Sequence, residues 1–174
     1  MLFFLKVLSQ LGLLKLYKGS IALTLNQTNF KIPIINGIGL NLLNQSTDWF
    51  SNLLQYFDEN RYDTLFIDIG TNIGQSYLQV RSIAPNWTYV GFEPNMTCVT
   101  YVQTLMMVNE DLKSKMFPMA LSDRNEVLKL YLNSAVDTTA TILKQFRPGR
   151  YEQDSAKAVS YTHLTLPTNT VTCG

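Results

Sequence analysis

Strand and helix patterns that alternate over residues 64–132 predict an α/β protein built on a doubly wound, parallel sheet. Three observations carry that reading: a mainly apolar run (TLFIDI), a glycine-bearing turn directly behind it, and a further helix–strand–helix–strand succession. A length of 174 residues fits one domain, and 46% hydrophobic residues are ample for its core. With 14 Lys and Arg against 13 Asp and Glu, the chain lacks the basic footprint of a nucleic-acid binder. His163 is the single histidine, and Cys98 and Cys173 are the two cysteines. That excludes a disulfide framework and a zinc cluster and nearly excludes a metal centre built on histidine. These counts predict a soluble protein of a reducing compartment, the cytoplasm.

Each element follows from local pattern. Met1–Leu16 is dense in Leu and Phe and reads as a helix packed on the rest of the protein. At ~24 Å it is too short for a ~30 Å bilayer core, although residues 1–18, with three lysines, could lie at a membrane surface. Ile21, Leu23 and Leu25, then Phe30, Ile32 and Ile34, alternate about the cluster Asn26–Asn29 and predict a hairpin. Asn36-Gly37-Ile38-Gly39 marks a loop. Ser46 can cap a helix whose Trp49, Phe50, Leu53, Leu54 and Phe57 share one face. This lead-in occupies residues 1–60.

From residue 61 the α/β succession begins. Thr64–Ile69 reads as a first strand, buried on both faces as in parallel sheets. Gln75–Ala84 is a helix stopped before Pro85, Thr88–Phe92 a second strand and Thr97–Val108 a second helix. Met116–Ala120 and Val127–Leu132 are the third and fourth strands. Cys98 reads as a small buried hydrophobe, and Arg147-Pro148-Gly149-Arg150 as a basic turn.

The candidate site lies where the first strand meets its helix. In Asp68-Ile69-Gly70-Thr71-Asn72-Ile73-Gly74, Gly70 permits a tight turn and Gly74 a helix start close to the strand. Loop amides there can face an anionic ligand group, and Asp68 suits a ligand amine. Glu93 closes the second strand, 23 residues after Gly70, where an acid can accept both ribose hydroxyls. Pro94 gives the chain an extended exit and turns Glu93 to the crevice. A pyrophosphate loop wants G-x-G-x-x-G, yet Asn72 holds the middle position. That disfavours NAD and FAD and is compatible with S-adenosyl-L-methionine, whose amino-acid end needs no pyrophosphate cradle.

FIDIGTNIGQ (66–75), YVGFEPN (89–95), ALSD (120–123) and LKLYLN (128–133) resemble the corresponding runs of the FkbM-type methyltransferases. KIPIINGIGLNLL also resembles the upstream strand and loop of one branch. The likeness covers nearly all of residues 20–150. It implies an incomplete Rossmann-like methyltransferase sheet, S-adenosyl-L-methionine as methyl donor, and O-methylation of a sugar or polyketide hydroxyl on a small molecule or glycan. It further implies Asp68, Gly70, Asn72 and Gly74 at the methionine end, Glu93 at the ribose, and Ala120 and Leu121 at the adenine, with Pro94 and Asn95 also among the cofactor-binding residues. A base must come from Asp, Glu, Lys or Tyr; Asp123 and Asp137 read as surface acids, and no catalytic residue is assigned. The competing expectation is a non-catalytic nucleotide-binding or membrane-associated interaction module.

The last stretch, Val159–Gly174, has five threonines and no charged residue. Its run VSYTHLTLPT resembles a translated transposase adapter of short-read sequencing libraries. The expectation is a cofactor domain over 61–158 that is cut short, followed by a foreign tail from Val159. Missing strands would then leave the edge at strand four open, with a tail unable to pair there, and the chain poorly soluble and inactive.

Overall fold

The computed structural model describes residues 17, 19–44, 48–58, 64–123, 125–137, 140 and 156–163. The helix expected over Met1–Leu16, the Ser46 cap and the 147–150 turn lie outside them. Strands β1 (Gly19–Leu25) and β2 (Thr28–Ile34) form the expected antiparallel hairpin. Its turn is tighter than the four-residue cluster suggests. Asn26 and Gln27 alone make it, at φ 46° and 66°, the left-handed pair that matches strand twist. Helix α1 (Asp48–Asp58) follows.

The central unit is β3 (Leu65–Ile69), α2 (Gln75–Ile83), β4 (Thr88–Phe92), α3 (Met96–Val108) and β5 (Ser114–Phe117). Its strands run parallel in the order β3-β4-β5. This is a Rossmann-like α/β half-sheet with a hairpin lead-in, as the sequence predicts. Helices α2 and α3 pack on one face of the sheet, and the hairpin packs on the helices. The core lies between these layers, with Ile32, Ile34, Tyr77, Leu78, Val80, Tyr89, Val102 and Leu105 all buried. Side-chain bonds fasten the hairpin to the helices. Tyr101 Oη donates to the Pro33 carbonyl at 3.0 Å, and Asn109 bonds both backbone groups of Lys31, as a neighbouring strand would.

Four expectations need correction. First, β3 is covered on one face only. Phe66 and Asp68 face the helices, whereas Leu65 and Ile69 are 55% and 66% exposed among the described residues. Second, the third strand is two. Pro118 has no N–H for the ladder, so β5 ends at Phe117 and β6 (Ala120–Ser122) starts a separate sheet. Third, the fourth strand, β7 (Glu126–Tyr131), does not extend the parallel sheet. Among the described residues β3 and β5 are the two edge strands of this sheet, each without an outer strand partner.

Fourth, Val159–His163 do pair. They belong to β8 (Ala156–His163), the middle strand of the order β6-β8-β7, antiparallel to β7 and parallel to β6. A ladder uses backbone groups, which any extended segment offers, and Val, Tyr and Thr favour that conformation. Among the described residues no helix is long and apolar enough to cross a membrane.

Candidate functional site

The site forms at the carboxyl ends of β3 and β4, where the loop of residues 70–74 leaves the sheet. Gly70 and Thr71 donate their amides to the Phe92 carbonyl at 2.9 and 3.2 Å, which extends the β3–β4 ladder beyond the strands. Asn72 adopts a left-handed φ of 48° and donates its amide to Glu93 Oε2 at 2.9 Å. Gly74 donates to the Thr71 carbonyl at 3.0 Å. These four amides therefore bond within the protein rather than to a ligand anion. At Gly74, φ is +88°, and a Cβ would lie 3.3 Å from both Leu105 and Val102. The close approach that this glycine permits is thus to α3, not to the strand.

Glu93 sits beneath that loop and is 6% exposed. Its second oxygen, Oε1, accepts the Asn95 amide at 2.8 Å. Burial pushes the carboxyl above its ordinary pKa; the amides of Asn95 and Asn72 pull it back, and the charge of Asp68 pushes it up again. Pro94, half-buried, links Glu93 to Asn95. Asn95 is buried and caps α3 by accepting the Thr97 amide at 3.1 Å. One group thus ties the first loop, the end of β4 and the start of α3 together.

A further segment closes over this group. Asn95 Nδ2 donates to the Ala135 carbonyl at 2.7 Å, and Asn72 Nδ2 to the Asp137 carbonyl at 3.4 Å. Asp137 Oδ2 in turn accepts the Asn133 amide at 2.8 Å, which folds residues 133–137 on themselves. The two asparagines flank Glu93 and hold that segment across it.

Asp68 points to the helix side of β3, where its Oδ2 accepts hydroxyls from Ser76 and Tyr89. Burial, and then Asp68 beside it, push the Tyr89 hydroxyl well up, so it stays a proton donor. Asp68, Gly70, Thr71 and Asn72 also border a cleft of about 420 Å³ whose far wall is Trp49 and Phe50 of α1. The site expectations separate accordingly. Asn72, Glu93, Pro94 and Asn95 come together; Asp68 and Gly70 line the cleft beside them. Ala120 and Leu121 are half-buried on β6, in the second sheet. Among the described residues no hydrogen bond ties those two to Glu93 or to the asparagines.

Sequence reasoning missed Gly91, Ser76, Tyr89 and the 133–137 segment. A Cβ at Gly91 would fall 2.5 Å from Thr71 Oγ1 and against Met116 Sδ. A glycine within a strand that otherwise reads as apolar is the signal that could have marked this close approach.

No family model matches the chain, and no curated protein matches it. The fold is similar to two solved structures from Pyrococcus horikoshii. One is PH0793, provisionally described as a transferase, 10% identical, with a TM-score of 0.41. The other is TYW2 in complex with MeSAdo, 11% identical, also with a TM-score of 0.41. Each match covers 60% of this chain and 37% of the other, so the chain spans little more than a third of either protein.

Proposed function

We propose that the chain carries the cofactor-binding part of an S-adenosyl-L-methionine-dependent methyltransferase of FkbM type, acting on a sugar or polyketide hydroxyl. One observation carries the reading. The acid closing β4, Glu93, is bonded to the loop leaving β3 through the Asn72 amide. An adenosine entering at the carboxyl ends of these strands meets that carboxylate with its ribose.

The residues present fit such a group. Each Glu93 oxygen takes one amide, while an ionised carboxylate offers about four acceptor positions, so two remain for a diol. A Cβ at Gly70 would meet nothing within 4 Å, which leaves room beside the loop. With Glu93 only 6% exposed, the 133–137 segment has to shift before a ribose reaches it. When bound, the cofactor supplies a methyl group already activated as a sulfonium. The protein's share is to hold donor and acceptor in line, an alignment worth up to about 7–11 kcal/mol. Glu93, Asn72 and Asn95 would do that for the nucleoside end. Tyr89, kept protonated, is a hydroxyl donor to Asp68 and not a base.

Calorimetric titration with S-adenosylhomocysteine tests the reading. Binding near micromolar is expected, about −8 kcal/mol. Glu93→Gln should weaken it by about 1.5–3 kcal/mol, the worth of hydrogen bonds to a charged group. Equal affinity in the two proteins would take Glu93 out of the site.

A further inference from the structure

The segment that lies across Glu93 has the anatomy of a latch. Its two ends belong with the second sheet. Leu132, directly behind β7, is buried with Leu130 in a small apolar cluster, and Ala140 packs against that same cluster. Between these ends the chain crosses to the parallel unit, where Val136 packs against the main core. The Asn133 amide and Asp137 Oδ2, 2.8 Å apart, fold the crossing segment on itself. A loop with both feet in one cluster and its tip on another can swing away without unfolding either.

What the tip touches decides what it competes with. The Ala135 carbonyl takes Asn95 Nδ2 at 2.7 Å, and the Asp137 carbonyl takes Asn72 Nδ2 at 3.4 Å. Both donors stand beside Glu93, whose oxygens accept the backbone amides of the same two asparagines. A carbonyl accepts and cannot donate, so these two serve the asparagines and offer nothing to the carboxylate beneath them. A vicinal diol does both, because each hydroxyl can donate to Glu93 and accept from an asparagine. The segment thus stands in for half of what a diol would supply. Exchanging one for the other replaces two neutral hydrogen bonds with a set that includes bonds to a carboxylate, the stronger kind.

Given Glu93 as the ribose acid of the proposed cofactor site, we propose that residues 133–137 are a latch that competes with a vicinal diol for Asn72 and Asn95. Entry of the ligand and release of the segment are then one event. With Glu93 only 6% exposed, the latched chain does not bind. The measured affinity is therefore the intrinsic affinity reduced by the fraction of chains that are unlatched, and anything that loosens the tip raises it.

Loosening the latch away from the asparagines tests it. Val136→Ser gives the tip a hydroxyl in place of its apolar contact and leaves Asn72, Glu93 and Asn95 as they are. In calorimetric titration of the full chain with S-adenosylhomocysteine, Val136→Ser should bind about fivefold more tightly than the unaltered protein. Val136→Ala, a milder loosening that keeps the test open if the serine variant fails to fold, should gain about twofold. Mass-spectrometric hydrogen exchange over residues 133–137 should quicken by about tenfold when S-adenosylhomocysteine saturates the unaltered chain, as the asparagine donors are withdrawn. Equal affinity in the three proteins would overturn the latch and leave the methyltransferase reading standing. Weaker binding in the variants, or slower exchange over 133–137 in the complex, would also overturn it, because the segment would then belong to the bound site. No binding of S-adenosylhomocysteine by any of the three would defeat the methyltransferase reading, and the latch with it.

Discussion

Arg81 and Glu93 are both buried, at opposite ends of the parallel sheet, and each is held differently. Arg81 is 7% exposed and its Nε meets both Asp111, at 2.9 Å, and Ser114, while its two terminal nitrogens donate to the carbonyls of Pro85 and Trp87. Tyr77 and Ser114 complete Asp111, at 3.0 and 2.5 Å. Removing the cation strands a buried carboxylate, so Arg81→Met should destabilise the fold by about 3–5 kcal/mol. Urea denaturation measures this, and a loss well under about 1 kcal/mol would mean that the pair is solvated in solution. Among the described residues Glu93 has no cation partner and accepts two amides. Because burial raises its folded pKa, Glu93 keeps its proton to higher pH in the folded chain than in the unfolded one. Its contribution is complete below the ordinary carboxyl pKa and is lost as pH rises through the folded value. The stability advantage of the unaltered chain over Glu93→Gln should therefore shrink as pH rises above the ordinary carboxyl range, followed by thermal melts. An advantage that grows with pH would reverse the sign. Glu93 was legible because strand end, acid and proline stand together in sequence. Arg81 was not, because its partner lies 30 residues away and only the packing of α2 on the sheet brings them together.

Among the elements, the 133–137 segment is tied to the site by two asparagine side chains and folded by one internal turn. Asn95→Ser separates its two duties. Serine can still cap α3, but it cannot reach the Ala135 carbonyl as the longer amide does. Amide exchange over residues 133–137 should then quicken by about tenfold, the worth of one hydrogen bond, while α3 keeps its protection. Mass-spectrometric hydrogen exchange reads both, and unchanged exchange at 133–137 would show that Asn95 is not what holds the segment. The hairpin and helices α1–α3 were readable because each rests on residues close in sequence. Asn26-Gln27 sets the turn, Trp49 to Phe57 mark the helix, and Pro85 stops α2. The second sheet was not readable, since Glu126 opposite Tyr161 is a pairing across 35 residues that no local period announces. The break at Pro118 could have been read, because proline cannot donate within a ladder.

For the whole molecule, the uncovered face of the parallel sheet decides how copies behave toward one another. Leu65, Ile67 and Ile69 of β3 and Phe117 of β5 are all exposed there, and β3 and β5 are the two strands of this sheet whose outer edges lack a partner among the described residues. Apolar side chains beside an open ladder invite a strand from another copy, and β3 carries a single charge, Asp68, to discourage it. A central position on that strand is the place to interfere. Ile67 pairs with Val90, and a lysine there would set its charge over the exposed face without disturbing Phe66 or Asp68 on the helix side. The unaltered chain should therefore associate as concentration rises. Ile67→Lys should sediment as a smaller species at the same concentration, with an unchanged far-ultraviolet dichroism spectrum. Sedimentation velocity over about a hundredfold range of concentration separates the cases. A single monomeric boundary throughout would mean that this face is covered in solution, and equal association in both proteins would place the contact elsewhere.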